Sequence, residues 1–342
     1  MTGERRVVVR LRLIVLVGAL SAVAGIALGV AVAPAAVASG GSPPTAYVVD
    51  TGAGTVTALD TATNKAGSAI SVGKTSQPDA IAITPNGDTL YVVSGLDNTV
   101  TPVATATRKA GKPIKVGVFP EGIAITPNGA TAYITNGLVG TVTPIDLATA
   151  IAGHPIAVGL NPRGIAITPN GATVYVADTG AGTITPINIA TNRAGTPISV
   201  GKTAQPDAIA ITPDGSTLYV TDYGSGRVTP IKIATNTAQK PISIGTGSQP
   251  DGIAITPNGS TAYVATYGTD SVIPIATATN KAAKPISVGR FARGVAITPN
   301  GDTVYVANFG STTLTPITTA TNAPGKPIPI GNGPIAIAMT HN

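Results

Sequence analysis

The stretch 81–92, IAITPNGDTLYV, decides how this chain folds. Isoleucine alternates with small residues, the chain turns at 84–87 (TPNG), and β-branched and aromatic residues follow. Proline presets φ, asparagine tolerates the next position and glycine supplies a positive φ, so the stretch predicts a β-hairpin. This hairpin recurs every 42 or 44 residues, with its proline at Pro85, Pro127, Pro169, Pro213, Pro257 and Pro299.

Each repeat predicts four short strands. Isoleucine-rich IAIT is the first, a segment opening with tyrosine is the second, TVTPI is the third and PISVG is the fourth. β-branched residues dominate all four, as strands prefer, and no helical periodicity appears between 45 and 342. The proline of the third strand has no N–H, so we expect its pairing to be interrupted or bulged. The tyrosines are Tyr47, Tyr91, Tyr133, Tyr175, Tyr219, Tyr263 and Tyr305.

Four strands in about 43 residues are typical of a β-propeller blade. The C-terminal stretch 334–342 aligns with 78–86 and supplies a first strand, whereas residues 46–73 begin with a second strand. We therefore predict an all-β, seven-bladed β-propeller over 46–342, with four-stranded antiparallel blades and a C-terminal strand that completes the N-terminal blade. A linear β-solenoid is the alternative, but it would not need complementary ends.

The composition limits the chemistry that this chain can perform. Its 342 residues include 41 glycines, 29 prolines and two histidines, but no cysteine and no tryptophan. The lack of cysteine excludes a disulfide framework, thiolate metal sites and a thiol nucleophile. Two histidines are too few for a histidine-rich metal or acid–base site.

The first 38 residues predict a targeting segment. Four arginines precede an uncharged apolar run at 13–32, and AVA at 36–38 is a small-residue cleavage pattern. We expect a signal peptide, with an uncleaved signal anchor as the alternative, because about 20 apolar residues can span a bilayer. ERRVVVR at 4–10 also resembles a twin-arginine export signal. Either reading places the propeller, after a linker at 39–45, outside the cytoplasmic membrane, secreted or at the cell surface.

Three segments that follow the turn carry a family resemblance: YITN at 133–136, YVTD at 219–222 and YVAN at 305–308. The repeat resembles the YVTN family of β-propeller repeats, which includes surface-layer propellers and exported proteins of unassigned activity. It is also similar to lactonase-type and nitrite-reductase-like propellers. This chain lacks the histidine ligands that a haem d1 site would need, and Glu121 is its one glutamate after residue 38. The resemblance therefore implies extracellular binding more than catalysis, since a fold does not fix a function.

One position in the loop that leads into the first strand varies while its neighbours repeat. In propellers this loop lies at the mouth of the central channel, so we expect a ring of four acids, two arginines and one isoleucine. These groups would bind a polar ligand or a cation such as Ca²⁺, or supply a general acid. Alternatively, the acids pair with the arginines and only solvate the mouth. The ring residues are Asp79, Glu121, Arg163, Asp207, Asp251, Arg293 and Ile335.

The loops after the second strand share the mouth. Asp178 and Asp222 end two second strands, and Tyr223, Tyr267 and Phe309 begin Gly-rich loops. Because aromatic anchors dominate binding energy, we include all five among the candidate binding residues. The alternative is that the aromatic rings cover the edges of neighbouring blades. Lysines in the connections at the opposite face would meet anionic envelope polymers or simply be solvated.

These features favour an exported, non-enzymatic scaffold that binds a protein or cell-envelope polymer at the cell surface through the mouth. The alternative is a lactonase-like hydrolase that uses Asp79, Glu121, Asp207 and Asp251, with or without a divalent cation. A structural role in a surface layer is a third hypothesis. We assign no catalytic residue and expect no cofactor other than calcium under the second hypothesis. Nucleic acid is not an expected partner, because residues 39–342 carry 17 basic and 14 acidic residues without a basic stripe. We expect membrane contact only through an uncleaved N-terminal segment.

Overall fold

The chain forms a seven-bladed β-propeller, as predicted. The structure is a computed structural model that describes residues 44–73 and 77–340. The predicted targeting segment and all of the linker but its last two residues lie outside these ranges. The first described strand begins at Thr45. Within the described ranges no helix has the length and hydropathy of a membrane span.

Each blade is an antiparallel sheet with four strands from the central channel outward. The strands follow chain order in blades 2 to 7, whereas the innermost strand of blade 1 is the C-terminal one. We number the blades 1 to 7 by their second strands. The first strands, from blade 1 to blade 7, are Pro334–Met339, Pro78–Ile83, Pro120–Ile125, Pro162–Ile167, Pro206–Ile211, Pro250–Ile255 and Ala292–Ile297. The second strands are Thr45–Asp50, Thr89–Ser94, Thr131–Asn136, Thr173–Asp178, Thr217–Asp222, Thr261–Thr266 and Thr303–Asn308. The third strands are Thr55–Asp60, Thr99–Ala104, Thr141–Asp146, Thr183–Asn188, Arg227–Lys232, Ser271–Ala276 and Thr313–Thr318.

The proline of the third strand interrupts pairing on one side only. Pro144 pairs in register with Tyr133 of the second strand, and no bulge occurs there. On the other side, the Pro144 carbonyl accepts a hydrogen bond from Gly153 N–H at 2.7 Å, and the fourth strand splits into two pieces. Blade 1 carries Ala58 at this position, and its fourth strand Lys65–Ser71 is a single element. The missing N–H of proline therefore divides the outer strand but leaves the inner ladder intact.

The split fourth strands are the outer edges of blades 2 to 7. Two 3-10 helices, Gly137–Val139 and Ile233–Thr235, complete the described elements. The paired pieces of the fourth strands are Lys109–Ala110 with Ile114–Lys115, Ile151–Ala152 with Ile156–Ala157, Arg193–Ala194 with Ile198–Ser199, Thr237–Ala238 with Ile242–Ser243, Lys281–Ala282 with Ile286–Ser287, and Ala323–Pro324 with Ile328–Pro329.

The C-terminal strand closes the ring. Pro334–Met339 pairs antiparallel with Thr45–Asp50, which confirms the predicted completion of the N-terminal blade. Beyond the strand, Thr340 Oγ1 accepts a hydrogen bond from Thr45 N–H at 2.9 Å, and Thr340 N–H donates to the Thr45 carbonyl at 3.0 Å. Closure of the circle removes the free inner edges that a solenoid would leave at its two ends.

The core consists of clusters between neighbouring blades, and a tyrosine spans most of these interfaces. Tyr133 of blade 3 donates its hydroxyl hydrogen to Asn192 Oδ1 of blade 4 at 2.7 Å. Four further interfaces repeat this bond, whereas Arg108 and Ala150 occupy the corresponding positions of blades 2 and 3. Blade 2 therefore lacks the tyrosine–asparagine bond on both sides. The other four pairs are Tyr175 with Asn236, Tyr219 with Asn280, Tyr263 with Asn322, and Tyr305 with Asn64.

Candidate functional site: a cavity at the mouth of the channel

The seven ring residues meet at the mouth because each occupies a β-bulge. In blade 3, Pro120 pairs with Asn136 and Gly122 pairs with Thr135, so Glu121 between them has no partner. The register shifts at the same point in the other six blades. A bulge redirects a side chain out of the ladder, which places these residues over the channel. We call this end of the propeller the mouth face.

The ring lines one cavity of about 430 Å³. All seven predicted ring positions contribute to its wall, so the sequence prediction that they converge is confirmed in its geometry. The remaining wall consists of small and apolar residues of the first strands, together with Phe119. In ring order the sequence is Asp79, Glu121, Arg163, Asp207, Asp251, Arg293 and Ile335, which puts two acids side by side at two places.

One half of the mouth is neutralised by its own residues. Arg293 Nε donates to Asp251 Oδ2 at 3.0 Å. The Arg293 guanidinium also lies 5.8 Å from the ring centroids of Tyr267 and Phe309, a distance at which cation–π attraction operates. Tyr267 in turn stacks on Phe291, with 4.8 Å between centroids. We call this group, with Tyr223, the closed half; it belongs to blades 5 to 7.

The other half is incompletely paired. Arg163 lies between two acids, with its Nε 3.4 Å from Glu121 Oε2 and its Nη1 3.5 Å from Asp207 Oδ1. The first contact is poorly aligned, because Glu121 Oε2 and Arg163 Nε are buried atoms without a hydrogen-bond partner. Asp79 forms no ion pair among the described residues, and its carboxylate lies against the backbone of Gly95. We call Asp79, Glu121, Arg163 and their surrounding loops in blades 2 to 4 the open half.

Burial raises the pKa of three of these acids. Burial raises the pKa of Asp207 to about 7, and the neighbouring Asp251 adds to this rise while Arg163 opposes it. Burial also raises the pKa of Asp79 to about 6, against the attraction of the two arginines. The pKa of Glu121 is raised for the same reason. At neutral pH Asp207 can therefore both donate and accept a proton, as a general acid–base group must.

Asp178 and Asp222, which were predicted as binding residues, lie inside the frame instead. Both are buried. Asp178 accepts hydrogen bonds from Thr183 and Thr185 of its own blade and from the backbone of Gly159, in the loop that leads into the blade. Asn136 occupies the equivalent place in blade 3 and bonds the equivalent threonines and glycine. The residue that ends the second strand thus braces the blade, and it does not reach the cavity.

The three predicted aromatic residues lie at the mouth, but two of them already contact other side chains of the mouth. Tyr267 packs on the next blade, as the blade-edge alternative expects, and both Tyr267 and Phe309 cover Arg293. Tyr223 is half-buried beside Asp251, whose charge contributes to a raised pKa of its hydroxyl, after burial. Sequence reasoning missed Phe119 and Phe291, which adopt positive φ values of 53° and 57° where other blades carry Asn, Gln or Gly. Two phenylalanines at a repeat position that favours asparagine and glycine are the signal that would have found them.

The candidate metal site receives no support from the described residues. Within 44–73 and 77–340, no group of three or more histidine, aspartate or glutamate side chains is placed to hold a metal ion. Calcium binding needs six to eight oxygen ligands, and an arginine separates the two adjacent acid pairs of the ring. Calcium therefore stays a prediction from the sequence alone.

Known structures share this fold. The described chain resembles hydrazine synthase of Kuenenia stuttgartiensis, with 25% identity, a TM-score of 0.70, and coverage of 76% of this chain and 89% of that one. A functionally unknown protein of Desulfotomaculum acetoxidans is 18% identical, with a TM-score of 0.76 and coverage of 87% and 99%. The periplasmic gluconolactonase of Pseudomonas aeruginosa is 18% identical, with a TM-score of 0.73 and the same coverage.

These likenesses establish the propeller architecture. No protein-family model matches the chain, and no curated protein matches it in sequence. The resemblance to the YVTN repeats accordingly stays a prediction, while the seven-bladed, all-β fold is shown.

Proposed function

We propose that this chain is an exported, non-enzymatic propeller that holds a protein or a cell-envelope polymer on its mouth face. The observation that supports it best is the charge of the ring, where four carboxyl groups face only two guanidinium groups. Two of those carboxyl groups, Asp79 and Glu121, are adjacent in the open half and lack a well-aligned cation. A buried charge without a partner is costly, so a cationic group of a binding partner would relieve this imbalance.

The rest of the cavity wall fits binding better than covalent chemistry. Among the described residues that line it, none is a serine, threonine, tyrosine, histidine or lysine. The wall therefore offers charge and shape to a ligand, but no hydroxyl, imidazole or amine nucleophile. Export rests on the N-terminal arginines, apolar run and cleavage pattern of the sequence.

The test compares two immobilised proteins, the full-length chain and the double variant Asp79→Asn/Glu121→Gln. Both are exposed to envelope extract of the producing cells, and retained components are identified. We expect at least one component to be held by the wild type and lost from the variant, whose side chains keep their size but not their charge. Identical retention by the two proteins would contradict a role for the open half in binding.

A lactonase-like hydrolase is the second candidate, and one observation favours it. Asp207 has a pKa of about 7 and lies beside the Arg163 guanidinium. In such a pair the carboxylate takes a proton from a water molecule that attacks the lactone carbonyl. The guanidinium stabilises the resulting oxyanion. The ring C–O bond then breaks as the protonated Asp207 returns its proton to the leaving oxygen, which gives a hydroxy acid. The structural likeness to a gluconolactonase adds support for this candidate at the level of fold.

Hydrolysis of gluconolactone decides between the two candidates. Proton release would be followed at pH 6.5 with the wild type, with Asp207→Asn and without protein. The binding function predicts three equal rates. A wild-type rate well above the other two would instead establish the hydrolase.

A further inference from the structure

The open half is bordered by exposed aliphatic side chains. Leu96, Val118, Leu138, Val139 and Leu160 have exposed fractions of 54%, 44%, 71%, 48% and 69%. Only one other large hydrophobic residue of the described ranges is comparably exposed, and it is Ile151 on a fourth strand. We call the five residues the aliphatic strip.

Hydrogen bonds join the loops that carry the strip to one another. Phe119, next to Val118, donates its N–H to Asn98 Oδ1 of the Leu96 loop at 2.7 Å. The Phe119 carbonyl accepts a hydrogen bond from Gly137 N–H at 2.9 Å, which joins it to the Leu138 loop. Finally, Val158 N–H donates to the Gly140 carbonyl at 3.0 Å and brings the Leu160 loop alongside.

Comparison among the repeats shows that the frame does not need these side chains. Where blades 2 and 3 carry Leu96 and Leu138, the other five blades carry glycine. Where the loops before blades 3 and 4 carry Val118 and Leu160, the two other loops of equal length carry Arg290 and Asn332. The corresponding loops of the other blades thus form without an apolar residue at these positions. A group of exposed apolar side chains on neighbouring loops is typical of an interaction site. The glycines are Gly52, Gly180, Gly224, Gly268 and Gly310.

The strip adjoins the two acids that lack a well-aligned cation. Gly95, the residue before Leu96, lies against the Asp79 carboxylate. Gly137, the residue before Leu138, lies against the Glu121 carboxylate, whose buried Oε2 has no hydrogen-bond partner. Each leucine therefore directly follows a glycine that contacts an acid of the cavity. A ligand that fits both features carries a positive charge next to apolar groups.

We propose that the open half binds a segment of a partner protein in which a lysine or arginine is flanked by aliphatic residues. The basic side chain enters the cavity between Asp79 and Glu121, and the flanking residues cover the aliphatic strip. This inference rests on the proposed binding function and names the chemistry of its partner. Burial of the strip supplies affinity, while the ion pairs select a basic residue over an acidic one.

The test is selection of random 12-residue peptides, displayed on phage, against the full-length chain, after depletion on Asp79→Asn/Glu121→Gln. We expect the selected peptides to share a lysine or arginine flanked by Leu, Ile or Val. A synthetic copy should bind the wild type by calorimetry and bind Leu96→Gly/Leu138→Gly at least about tenfold more weakly. These two substitutions restore the residue of the sister loops, so the variant should fold normally. Ile151→Lys, which removes an exposed aliphatic side chain outside the strip and copies Lys109 of blade 2, should bind like the wild type.

Selection of acidic peptides, equal binding to the Leu96→Gly/Leu138→Gly variant, or no enrichment would each overturn this inference. The proposed function can survive that result. If the envelope extract yields a polymer that needs Asp79 and Glu121 but not the leucines, the scaffold role stands and the peptide partner is wrong. If neither experiment depends on the two acids, both proposals fail.

Discussion

The two halves of the mouth share one backbone, yet they treat their charges differently. In the closed half, Arg293 meets Asp251 at 3.0 Å and is covered by two aromatic rings. In the open half, Arg163 spans two acids at 3.4 and 3.5 Å, and Asp79 has no ion pair among the described residues. The closed half therefore contributes to stability, whereas the open half keeps unsatisfied charge available. Because the blades share one backbone, side chains can differ from blade to blade. One half of the mouth can therefore stabilise the fold while the other half keeps charge available for binding.

The largest expected effect is that of removing the guanidinium of the closed half. Arg293→Gln leaves Asp251 without its partner and removes the cation from the two rings, so we expect a loss of about 2–3 kcal/mol of unfolding free energy. Arg163→Gln, in the open half, should cost less than half as much. Urea denaturation of both variants measures the difference. Equal losses would show that the halves are not distinct.

The frame aspartates should control the pH dependence of stability. Burial raises the pKa of Asp222 to about 7, so the folded state holds a proton that the unfolded state releases near pH 4. The associated stability is complete below about pH 4 and is lost as the pH rises through 7. Asp222→Asn, which copies Asn136, should stabilise the protein by about 2 kcal/mol at pH 8 and have little effect at pH 4. Melting curves at both pH values test this, and an equal shift at the two would exclude the titration of Asp222 as the cause.

Removing one acid from each half should have opposite effects. Asp251→Asn weakens the bond to Arg293 and should cost about 1–2 kcal/mol. Asp79→Asn removes an unpaired buried charge, so we expect it to be neutral or to stabilise by up to about 1 kcal/mol at pH 8. Chemical denaturation of the matched pair gives the sign directly. Destabilisation by Asp79→Asn would mean that this carboxylate is paired in solution.

The blades of the open half also lack interface bonds, and one of these can be restored. Ala150 has a φ of 56°. At this position five blades carry an asparagine, which accepts a hydrogen bond from the tyrosine of the preceding blade. Ala150→Asn suits this backbone better and supplies an acceptor for Tyr91, so it should add about 0.5–1.5 kcal/mol. Differential scanning calorimetry measures the gain. The control is Tyr91→Phe/Ala150→Asn. This double variant lacks the tyrosine hydroxyl, so it should lose the part of the stability gain that comes from the hydrogen bond.

The smallest expected effect concerns the aliphatic strip. Leu138→Gly changes an exposed side chain that the fold does not use, so stability should stay within about 0.5 kcal/mol of the wild type. Val142→Ala, a fully buried neighbour in the same blade, should cost about 2 kcal/mol or more and serves as the control. A comparable cost for Leu138→Gly would assign the strip to the frame, and its role in binding would then lose its main support.

The sequence alone determined the architecture of this protein, because the same turn and strand residues recur once in every blade. TPNG turns, alternating isoleucines and a C-terminal first strand were enough to predict seven blades and their closure. They also predicted that the seven variable residues face one channel, since equivalent positions of a closed repeat must lie on one ring. The third-strand proline correctly predicted an interruption, although not the side on which it falls.

Only the tertiary structure decided which residues of that ring are paired and which remain open. The sequence suggested the same role for Asp178 and Asp222 as for Asp79. In the structure Asp79 lies on a β-bulge and faces the cavity, whereas Asp178 and Asp222 end their second strands and accept hydrogen bonds from threonines. Distances such as the 3.0 Å between Arg293 and Asp251 join residues 42 positions apart. Electrostatic pairing depends on those distances and on burial, which arise from packing between blades, so no local pattern reveals them.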